Sequence, residues 1–340
     1  MRAVDALGEI AFWLERDLAS PFKTKAFRKA AEVIRPLSDD ELAAQVADGR
    51  LKSTKGIGGT TFEVIAEAVA GDIPSYLVDV RERLDAPLTT DGKALRSLLK
   101  GDLHAHSEWS DGTTTIDAMA ETARWLGHEY LVLSDHSPNL RVANGLSPER
   151  LRDQLKVIEK LNAGIQKEGD DFRILTGIEV DILDDGTLDQ VPELLDRLDI
   201  VVASVHGKLK MPAPEMTARM LGAVRNPHTN VLGHITGRLV EGSRGTRPGS
   251  SFDAKAVFDA CAEHDVAVEI NSRPERQDPP DALIAMALDA GCFFSIDSDA
   301  HAPGQLSFLD YGAARAEALG VPAHRIITTW SREQLHDWAG

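Results

Sequence analysis

The chain has 340 residues, of which 43% are hydrophobic and 27% charged, values typical of a globular protein with room for one large and one small domain. The formal net charge of −17 argues against nucleic-acid binding through a broad, positively charged surface, although bound divalent cations would reduce the negative charge near a site. No apolar run is long enough to span a membrane, and acidic residues at positions 5, 9 and 15 do not fit a signal peptide, so we expect a cytoplasmic protein.

The first 85 residues predict a small domain of short helices. Apolar side chains recur at helical spacing over residues 4–18, and a second helix begins at Pro21 and ends before Pro36. The segment 38–41 predicts the N-cap of a third helix. A Gly-Ile-Gly turn at residues 56–58 then precedes a further helix over residues 62–70, which is the pattern of a helix-hairpin-helix.

This hairpin has two interpretations. Its glycines either let backbone N–H groups approach a phosphate at a helix N-terminus, or only make a tight turn between two helices. Residues 22–35 carry a local charge of +4, whereas residues 1–85 as a whole sum to −3. We therefore expect weak, local DNA contact rather than a strong independent DNA-binding domain, through Lys23, Lys25, Arg28, Lys55, Gly56 and Gly58.

Residues 86–100 begin with Pro, Gly and small polar residues and predict a linker. From residue 101, short apolar runs alternate with amphipathic helical stretches, which indicates an α/β fold with a parallel sheet. The predicted strands are 102–106, 130–134, 173–178, 200–204, 230–234, 267–270, 293–296 and a weaker 326–329. Seven or eight such units favour a barrel, with an open sheet as the alternative.

Histidines and carboxylates stand where these runs end. In chain order they are His104, His106, Asp111, Asp135, His136, Glu179, His206, His234, Asp299 and His301. The pair His104 and His106 points to one side of a strand, so both rings can reach one metal ion. Because the carboxyl ends of parallel strands meet at one face of a barrel, we expect the whole set to converge there. Any single histidine is most simply a satisfied structural residue, but the set predicts a metal site.

The motifs around these residues closely resemble those of the PHP (polymerase and histidinol phosphatase) superfamily. They are His-x-His-Ser, Ser-Asp-His, Gly-Ile-Glu, Ser-Val-His, Gly-His and Ser-Asp-Ala-His, in this order. Segments 233–239 and 269–276 are similar to the PHP domain of bacterial family X DNA polymerases in particular. Residues 21–35 and the hairpin resemble the small DNA-end-binding domain of those polymerases.

The resemblance implies a fold and a domain organisation. Residues 101–340 would form a distorted (β/α)7-type barrel, the PHP fold, after an all-α helix-hairpin-helix domain at 1–85 and a linker at 86–100. Only this linker stands where the polymerases carry their nucleotidyltransferase palm, so polymerase activity is not expected. The hairpin also departs from the family at Thr54 and Lys55.

By resemblance to three-metal PHP sites, His104, His106, Glu179 and Asp299 would hold one ion. Glu179 would bridge to a second ion held by His206 and His234, and Asp111, His136 and His301 would hold a third. This mixture of imidazole and carboxylate suits Zn²⁺, Mn²⁺ or Fe²⁺ better than Mg²⁺ or Ca²⁺. Asp135 is expected to orient a ligand histidine. Candidates to neutralise a substrate phosphate, with surface salt bridges as the alternative, are Lys208, Arg238 and Arg273.

Clustered metal ions favour hydrolysis of a phosphoester by an activated water. One candidate substrate is a DNA 3′ end, cleaved by 3′–5′ exonuclease or 3′-phosphatase action, with the N-terminal domain delivering the end. The other is a small phosphomonoester of the histidinol-phosphate kind, with the helical domain as a lid or oligomer contact. The N-terminal resemblance favours the first and the net charge the second. A non-catalytic DNA-end adaptor would require lost ligands, and all nine positions carry the expected residues.

Overall fold

The structure is a computed structural model that describes residues 1–242 and 245–340. The described chain divides into two compact units, Met1–Pro87 with Pro303–Gln305, and Leu88–Ala302 with Leu306–Gly340. The domain boundaries expected from the sequence stay a prediction. Across the described residues, no helix combines the length and the apolar character needed to cross a membrane.

The helices in chain order are α1 (Ala3–Arg16), α2 (Pro21–Ile34), α3 (Asp39–Ala47), α4 (Gly59–Val69), α5 (Ser75–Leu84), α6 (Lys93–Arg96), α7 (Ile116–Trp125), α8 (Pro148–Lys167), α9 (Pro192–Leu195), α10 (Ala213–Val224), α11 (Ala254–Glu263), α12 (Asp281–Asp289), α13 (Leu309–Ala318) and α14 (Arg332–Ala339). The strands are β1 (Gly101–Ala105), β2 (Tyr130–Leu133), β3 (Arg173–Asp181), β4 (Ile200–Ser204), β5 (Val231–Leu232), β6 (Ala267–Asn271) and β7 (Phe294–Asp297). Short 3₁₀ segments lie at Leu51–Ser53, Arg141–Ala143, Pro303–Phe308, Ala323–Arg325 and Ile327–Thr329.

The first unit packs α1 to α5 around one apolar core. Leu7 and Ile10 of α1 are buried together with Phe27 of α2 and Ile65 of α4, so a single apolar face of each helix turns inward. A capping box begins α3, because the hydroxyl of Ser38 and the carboxylate of Glu41 each accept a backbone N–H of the other residue. The helical N-terminal region expected from the sequence is confirmed.

The hairpin before α4 depends on a glycine. Gly56 has a φ of 99°, in the left-handed region, and a Cβ there would lie 3.2 Å from side-chain atoms of both Lys29 and Val33. Gly58 precedes the first residue of α4, and its N–H donates to Thr61 Oγ1 at 2.8 Å. The two glycines therefore shape the turn, and one of its amides is already satisfied within the hairpin.

The second unit is built on seven parallel strands that pair in chain order from β1 to β7. A bridge between Ala105, at the end of β1, and Ala300, just after β7, brings the two edges of the sheet together. Among the described residues the helices follow their strands as β/α units, and side-chain N-caps at Thr115, Ser147 and Asp253 begin α7, α8 and α11. The expected α/β barrel of the (β/α)7 type is confirmed.

The predicted eighth strand over residues 326–329 is wrong. Ile327–Thr329 forms a 3₁₀ turn, and only the preceding Ile326 bridges to Phe294 of β7. The Thr328 carbonyl accepts the Lys100 N–H at 2.8 Å, and its hydroxyl accepts the Ile296 N–H at 3.1 Å. The segment thus connects the first and last strands at their junction instead of lengthening the sheet.

Candidate metal centre

Nine side chains predicted as metal ligands converge at the carboxyl ends of the strands, as expected for a parallel barrel. They come from β1 and the loop after it (His104, His106, Asp111), from the end of β2 (His136), from β3 (Glu179), from the ends of β4 and β5 (His206, His234), and from the end of β7 (Asp299, His301). Among the described strands, β6 is the one that supplies none of the nine candidate ligands. The structure therefore brings together residues spread over about 200 positions of sequence.

Glu179 lies at the centre of this cluster. Its Oε1 is 2.8 Å from His234 Nε2 and 3.1 Å from His206 Nε2. Its Oε2 is 3.2 Å from His104 Nε2 and 2.8 Å from His136 Nδ1. The two oxygens of one carboxylate thus face two separate groups of imidazoles, which is the arrangement expected of a bridging ligand.

Asp111 forms a second focus of the cluster. Its Oδ1 lies 3.3 Å from His301 Nε2 and 3.5 Å from His136 Nε2. One potential ligand atom from each of His106, Asp111, His136 and His301 lies within 4.8 Å of the others, and two further groups of this kind contain Glu179. The geometry therefore adds His106 to the trio that the sequence assigned to this position.

Asp299 is held in an unusual backbone conformation. Its φ is 51°, a left-handed value that is uncommon for residues other than glycine. One carboxylate oxygen, Oδ1, is 3.4 Å from His106 Nε2, while Oδ2 accepts hydrogen bonds from Arg276 Nε at 3.0 Å and Asn271 Nδ2 at 3.1 Å. A single oxygen of Asp299 is left to face the histidines.

The buried nitrogens of the cluster fit a metal centre. Several have no partner in hydrogen-bond geometry among the described residues, namely His104 Nε2, His106 Nδ1 and Nε2, His136 Nδ1, His206 Nε2 and His234 Nδ1, together with Glu179 Oε2. Buried polar atoms are normally paired, so such a concentration needs an explanation. Divalent cations of the zinc, manganese or iron type bind this mixture of imidazole and carboxylate ligands.

The carboxylates of the cluster are strongly acidic. Burial by itself would raise the pKa of Glu179, but the nearby His104, His206 and His136 rings outweigh burial and hold that pKa well below its usual value. Burial likewise opposes ionisation of Asp299, whose pKa is held well below the usual value by Arg276 and then His104. Both residues are therefore ionised, as metal-ligand carboxylates must be.

The histidines respond differently to their surroundings. Burial lowers the pKa of His106 to about 3, and the neighbouring His301 and His136 rings act in the same direction. Burial also opposes charge on His206, but Glu179 and a hydrogen bond to Asp181 outweigh it and raise the pKa of His206 to about 9. His106 is therefore neutral and ready to coordinate, whereas His206 must lose a proton before it can bind a cation.

Two acidic residues that the sequence did not single out contact candidate ligands. Glu269 Oε1 lies 2.6 Å from His104 Nδ1, and Asp181 Oδ1 is hydrogen-bonded to His206 Nδ1. Each contact is made on the ring nitrogen opposite the one that faces Glu179, which fixes the orientation of the ring. The sequence alone carries no signal that distinguishes these two carboxylates from other acidic residues.

Among the described residues, the side-chain hydrogen bonds of Asp135 are to the loop after β1 and to α8, and none is to a histidine. Its oxygens accept hydrogen bonds from the Ser107 N–H at 2.8 Å, the Ser107 hydroxyl at 2.6 Å and the Gln154 amide at 2.6 Å, and Ser110 donates to it as well. The expectation that Asp135 orients a ligand histidine is therefore corrected. The loop that it holds carries Asp111, so Asp135 acts on that candidate ligand through the backbone.

The three cationic candidates for substrate binding are placed differently. Arg273 is buried, donates to the Asp299 carbonyl at 2.9 Å and lies 3.1 Å from His301 Nδ1. Lys208 is exposed and forms an ion pair with Asp184. Arg238 donates to the backbone carbonyls of Arg276 and Gln277. Of these three, the described contacts place Arg273 directly against candidate ligands.

The residues predicted to contact DNA lie in the first unit. Lys23, Lys25 and Lys55 are exposed, and Lys23 Nζ lies 5.4 Å from the ring centroid of Tyr76. Arg28 instead forms an ion pair with the buried Glu15, at 2.7 Å, so its guanidinium joins α1 to α2. This internal role makes Arg28 the weakest of the predicted DNA contacts.

A family model of the PHP domain matches residues 102–273, which is just over half of the chain. The stretch begins within β1 and includes every candidate ligand except Asp299 and His301.

Three relatives illustrate the similarity. The DNA polymerase/3′-5′ exonuclease PolX of Bacillus subtilis is 39% identical over 218 residues, 64% of this chain and 37% of that protein. A probable phosphatase of Vibrio parahaemolyticus is 31% identical over 172 residues, 48% of this chain and 65% of that protein. The probable phosphatase YcdX of Escherichia coli is 26% identical over 246 residues, 69% of this chain and 92% of that protein. The chain thus spans less than two thirds of the length of the first two relatives.

Among solved structures, a histidinol phosphate phosphatase from Lactococcus lactis is similar to 65% of this chain and 92% of its own, with 20% identity and a TM-score of 0.47.

Proposed function

The chain belongs to the PHP domain family, and we propose that it is a hydrolase of phosphoester bonds that uses a cluster of divalent metal ions to cleave phosphate esters at DNA 3′ ends. The reaction would be 3′–5′ exonuclease or 3′-phosphatase action. One observation supports the metal dependence above all. Imidazoles from the ends of four different strands lie within 3.2 Å of the two carboxylate oxygens of Glu179.

The proposed chemistry needs residues that hold cations and residues that receive the phosphate. Bound at this cluster, divalent ions would supply Lewis acidity toward phosphoryl oxygens and lower the pKa of a coordinated water. All nine candidate ligands would hold them, as the sequence predicts, with His106 also close to the Asp111 group. Arg273 would neutralise the incoming phosphate, because its guanidinium reaches the edge of the cluster at His301.

The exposure of the side chains indicates where the ester would enter. Exposure falls from 37% at Asp111 and 22% at His301 to 1% at Glu179. The Asp111 and His301 side of the cluster is therefore the side open to solvent, and a phosphate would reach the ions from there. The buried His104, His234 and Glu179 would keep water away from the far side and hold the ligand geometry.

DNA as the substrate is supported by the first unit and by one relative. Lys23 and Lys25 on α2 and Lys55 in the hairpin are exposed, so their charges can meet a phosphate backbone. The Bacillus subtilis relative is named as a DNA polymerase and 3′-5′ exonuclease. The proposal assigns to this chain the hydrolytic part of such an activity alone.

A small phosphomonoester is the second candidate substrate. The net charge of −17 favours it, because an acidic surface repels a polyanion. The relatives named as probable phosphatases are matched over as much as 92% of their length. In that case the helical unit would act as a lid or an oligomer contact.

The test compares three substrates on the same preparation. The full chain, loaded with Mn²⁺ or Zn²⁺, is given 3′-phosphorylated recessed DNA, unmodified single-stranded DNA and histidinol phosphate, at low and at physiological salt. The proposal expects hydrolysis of at least one DNA substrate with a kcat/KM above that for histidinol phosphate, and binding that weakens as salt rises. Turnover of histidinol phosphate without DNA binding at low salt would contradict it.

The matched pair for this assay is His104→Ala and His264→Ala. His104 is a buried candidate ligand, whereas His264 is an exposed residue at the end of α11. Hydrolysis should be lost in the first variant and kept in the second.

A further inference from the structure

Strand β6 brings no candidate ligand to the cluster, yet it carries two fully buried polar side chains, Glu269 and Asn271. They are two residues apart, so both point to the same side of the strand. A buried carboxylate is costly unless its oxygens are hydrogen-bonded. The partners of these side chains therefore show why the strand carries them.

Those partners are candidate ligands on three other strands. Glu269 Oε1 lies 2.6 Å from His104 Nδ1, and its Oε2 accepts the backbone N–H of His234. Asn271 Nδ2 donates to Glu269 Oε2 at 3.2 Å and to Asp299 Oδ2 at 3.1 Å. One buried carboxylate and one amide thus connect the ends of β1, β5 and β7.

The contacts of the two ring nitrogens of His104 indicate which nitrogen carries the proton. Nε2 faces Glu179 Oε2 at 3.2 Å, on the side of the cluster where a metal would bind. A ring that coordinates through Nε2 must carry its proton on Nδ1, and Glu269 Oε1 is placed to accept a hydrogen bond from that Nδ1–H group.

We propose that Glu269 is a positioning residue of the metal centre, which holds His104 in its Nδ1–H tautomer and at the same time fixes the backbone that presents His234. This inference rests on the metal centre of the proposed function. Because Glu269 contacts a ligand on each side of Glu179, its loss would loosen both groups of imidazoles together.

The test uses Glu269→Gln. Glu269 accepts from His104 Nδ1 and from the His234 N–H through two different oxygens, whereas glutamine puts an NH2 donor in place of one of them, so one of the two contacts is lost. The matched control is Asp199→Asn. Asp199 lies just before β4, at the opposite end of the barrel, and its Oδ2 accepts hydrogen bonds from the Thr176 N–H and hydroxyl at 2.7 Å each. Metal affinity is measured by competition with a chromophoric chelator, using Zn²⁺ alone and Mn²⁺ alone, beside the melting temperature of the metal-free protein.

The inference expects Glu269→Gln to bind the metal about 10- to 100-fold more weakly than the wild-type chain, and Asp199→Asn to bind it normally. Equal metal affinity in the wild type and in Glu269→Gln would overturn the role of Glu269 but not the metal centre. A wild-type chain that binds no metal would overturn the metal centre, and the two failures are therefore distinguishable.

A second measurement is made on the wild-type protein and does not require Glu269→Gln to fold. Long-range ¹H–¹⁵N spectra of metal-loaded wild-type protein labelled at histidine report the tautomer of each ring, and the His104 signals are assigned from their absence in His104→Asn or, if that variant is insoluble, in His104→Gln. A proton on Nδ1 of His104 is the expected result. A proton on Nε2 would overturn the inference.

Discussion

Asp181 is hydrogen-bonded to Nδ1 of His206, and this contact leaves Nε2 of the same ring 3.1 Å from Glu179 Oε1. Asp181 and Glu179 are two residues apart on β3, so one strand supplies both the central carboxylate and the group that orients its histidine. Asp181 also accepts a hydrogen bond from Asn139 Nδ2 at 2.6 Å, which fixes the carboxylate itself.

Replacing Asp181 should therefore weaken metal binding. In Asp181→Asn we expect the affinity of the metal-free chain for Zn²⁺ to fall by about 10- to 100-fold. Asparagine has one acceptor oxygen for the two donors, His206 Nδ1 and Asn139 Nδ2, which contact different oxygens of Asp181, so the contacts that fix the His206 ring cannot both be kept. Isothermal titration with Zn²⁺ measures the change. Asp185→Asn is the control, since Asp185 lies in the next loop and accepts hydrogen bonds from Thr187. Unchanged affinity in Asp181→Asn would contradict this role.

Arg273 and Arg238 should differ in their effect on hydrolysis. Arg273→Lys keeps the charge but loses the planar fork that reaches both the Asp299 carbonyl and Glu275. We expect kcat/KM to fall by about 10-fold or more. Arg238→Lys should change it little, because the contacts of Arg238 are to the carbonyls of residues 276 and 277. Steady-state kinetics on 3′-phosphorylated DNA separates the two, and an equal effect from both variants would refute the assignment.

DNA binding by the first unit should depend on its exposed lysines. Replacing Lys25 by alanine removes one charge that faces solvent on α2, so the slope of log affinity against log salt should fall by about 1. Fluorescence anisotropy with recessed DNA measures that slope. Lys255→Ala provides the comparison, because Lys255 lies on α11 of the second unit and pairs with Asp259 at 2.6 Å. If both variants keep the wild-type slope, Lys25 is not a DNA contact.

The ion pair between Glu9 and Arg81 makes the stability of the chain depend on pH. Burial acts to raise the pKa of Glu9, but hydrogen bonds from Arg81 and Trp13 outweigh it, so the pKa is lowered in the folded chain. A carboxylate with a lowered pKa stabilises the fold above its unfolded pKa of about 4.3, and this contribution is lost as the pH falls through the folded value.

Urea unfolding of the wild type and Glu9→Gln at several pH values tests this dependence. The wild type should be the more stable of the two at pH 7, and the difference should shrink as the pH falls below 4. The comparison is Glu63→Gln, because Glu63 is an exposed carboxylate on α4 of the same unit. A difference that stays constant from pH 7 to pH 3 would contradict the assigned sign.

The barrel was predictable because its pattern is local. Apolar runs of four to six residues alternate with amphipathic helices, and polar residues stand where the runs end, so His136 and His234 were found without any structure. The same reasoning failed over 326–329, where Ile326 and Ile327 look like a strand. There the hydrogen bonds of Thr328 to the first and last strands decide the conformation.

The residues that orient the ligands were harder to find. Glu269 and Asp181 look like any acidic residues in the sequence, and their partners lie 165 and 25 residues away. Asp135 shows the opposite error, because it was expected to orient a ligand histidine, whereas in the fold it accepts hydrogen bonds from the Ser107 loop. Pairings of this kind depend on strand order and loop path, which a single sequence does not contain.

Bridging of at least two metal ions by Glu179 is the central claim, and one measurement tests it most directly. Metal content per chain is determined by mass spectrometry for the wild type and for Glu179→Gln after loading and desalting, with release of phosphate from 3′-phosphorylated DNA followed on the same samples. We expect the wild type to retain more than one ion per chain and to hydrolyse the ester, and Glu179→Gln to lose both properties. Full metal content in Glu179→Gln, or undiminished hydrolysis by a wild-type chain stripped of metal with a chelator, would contradict the account.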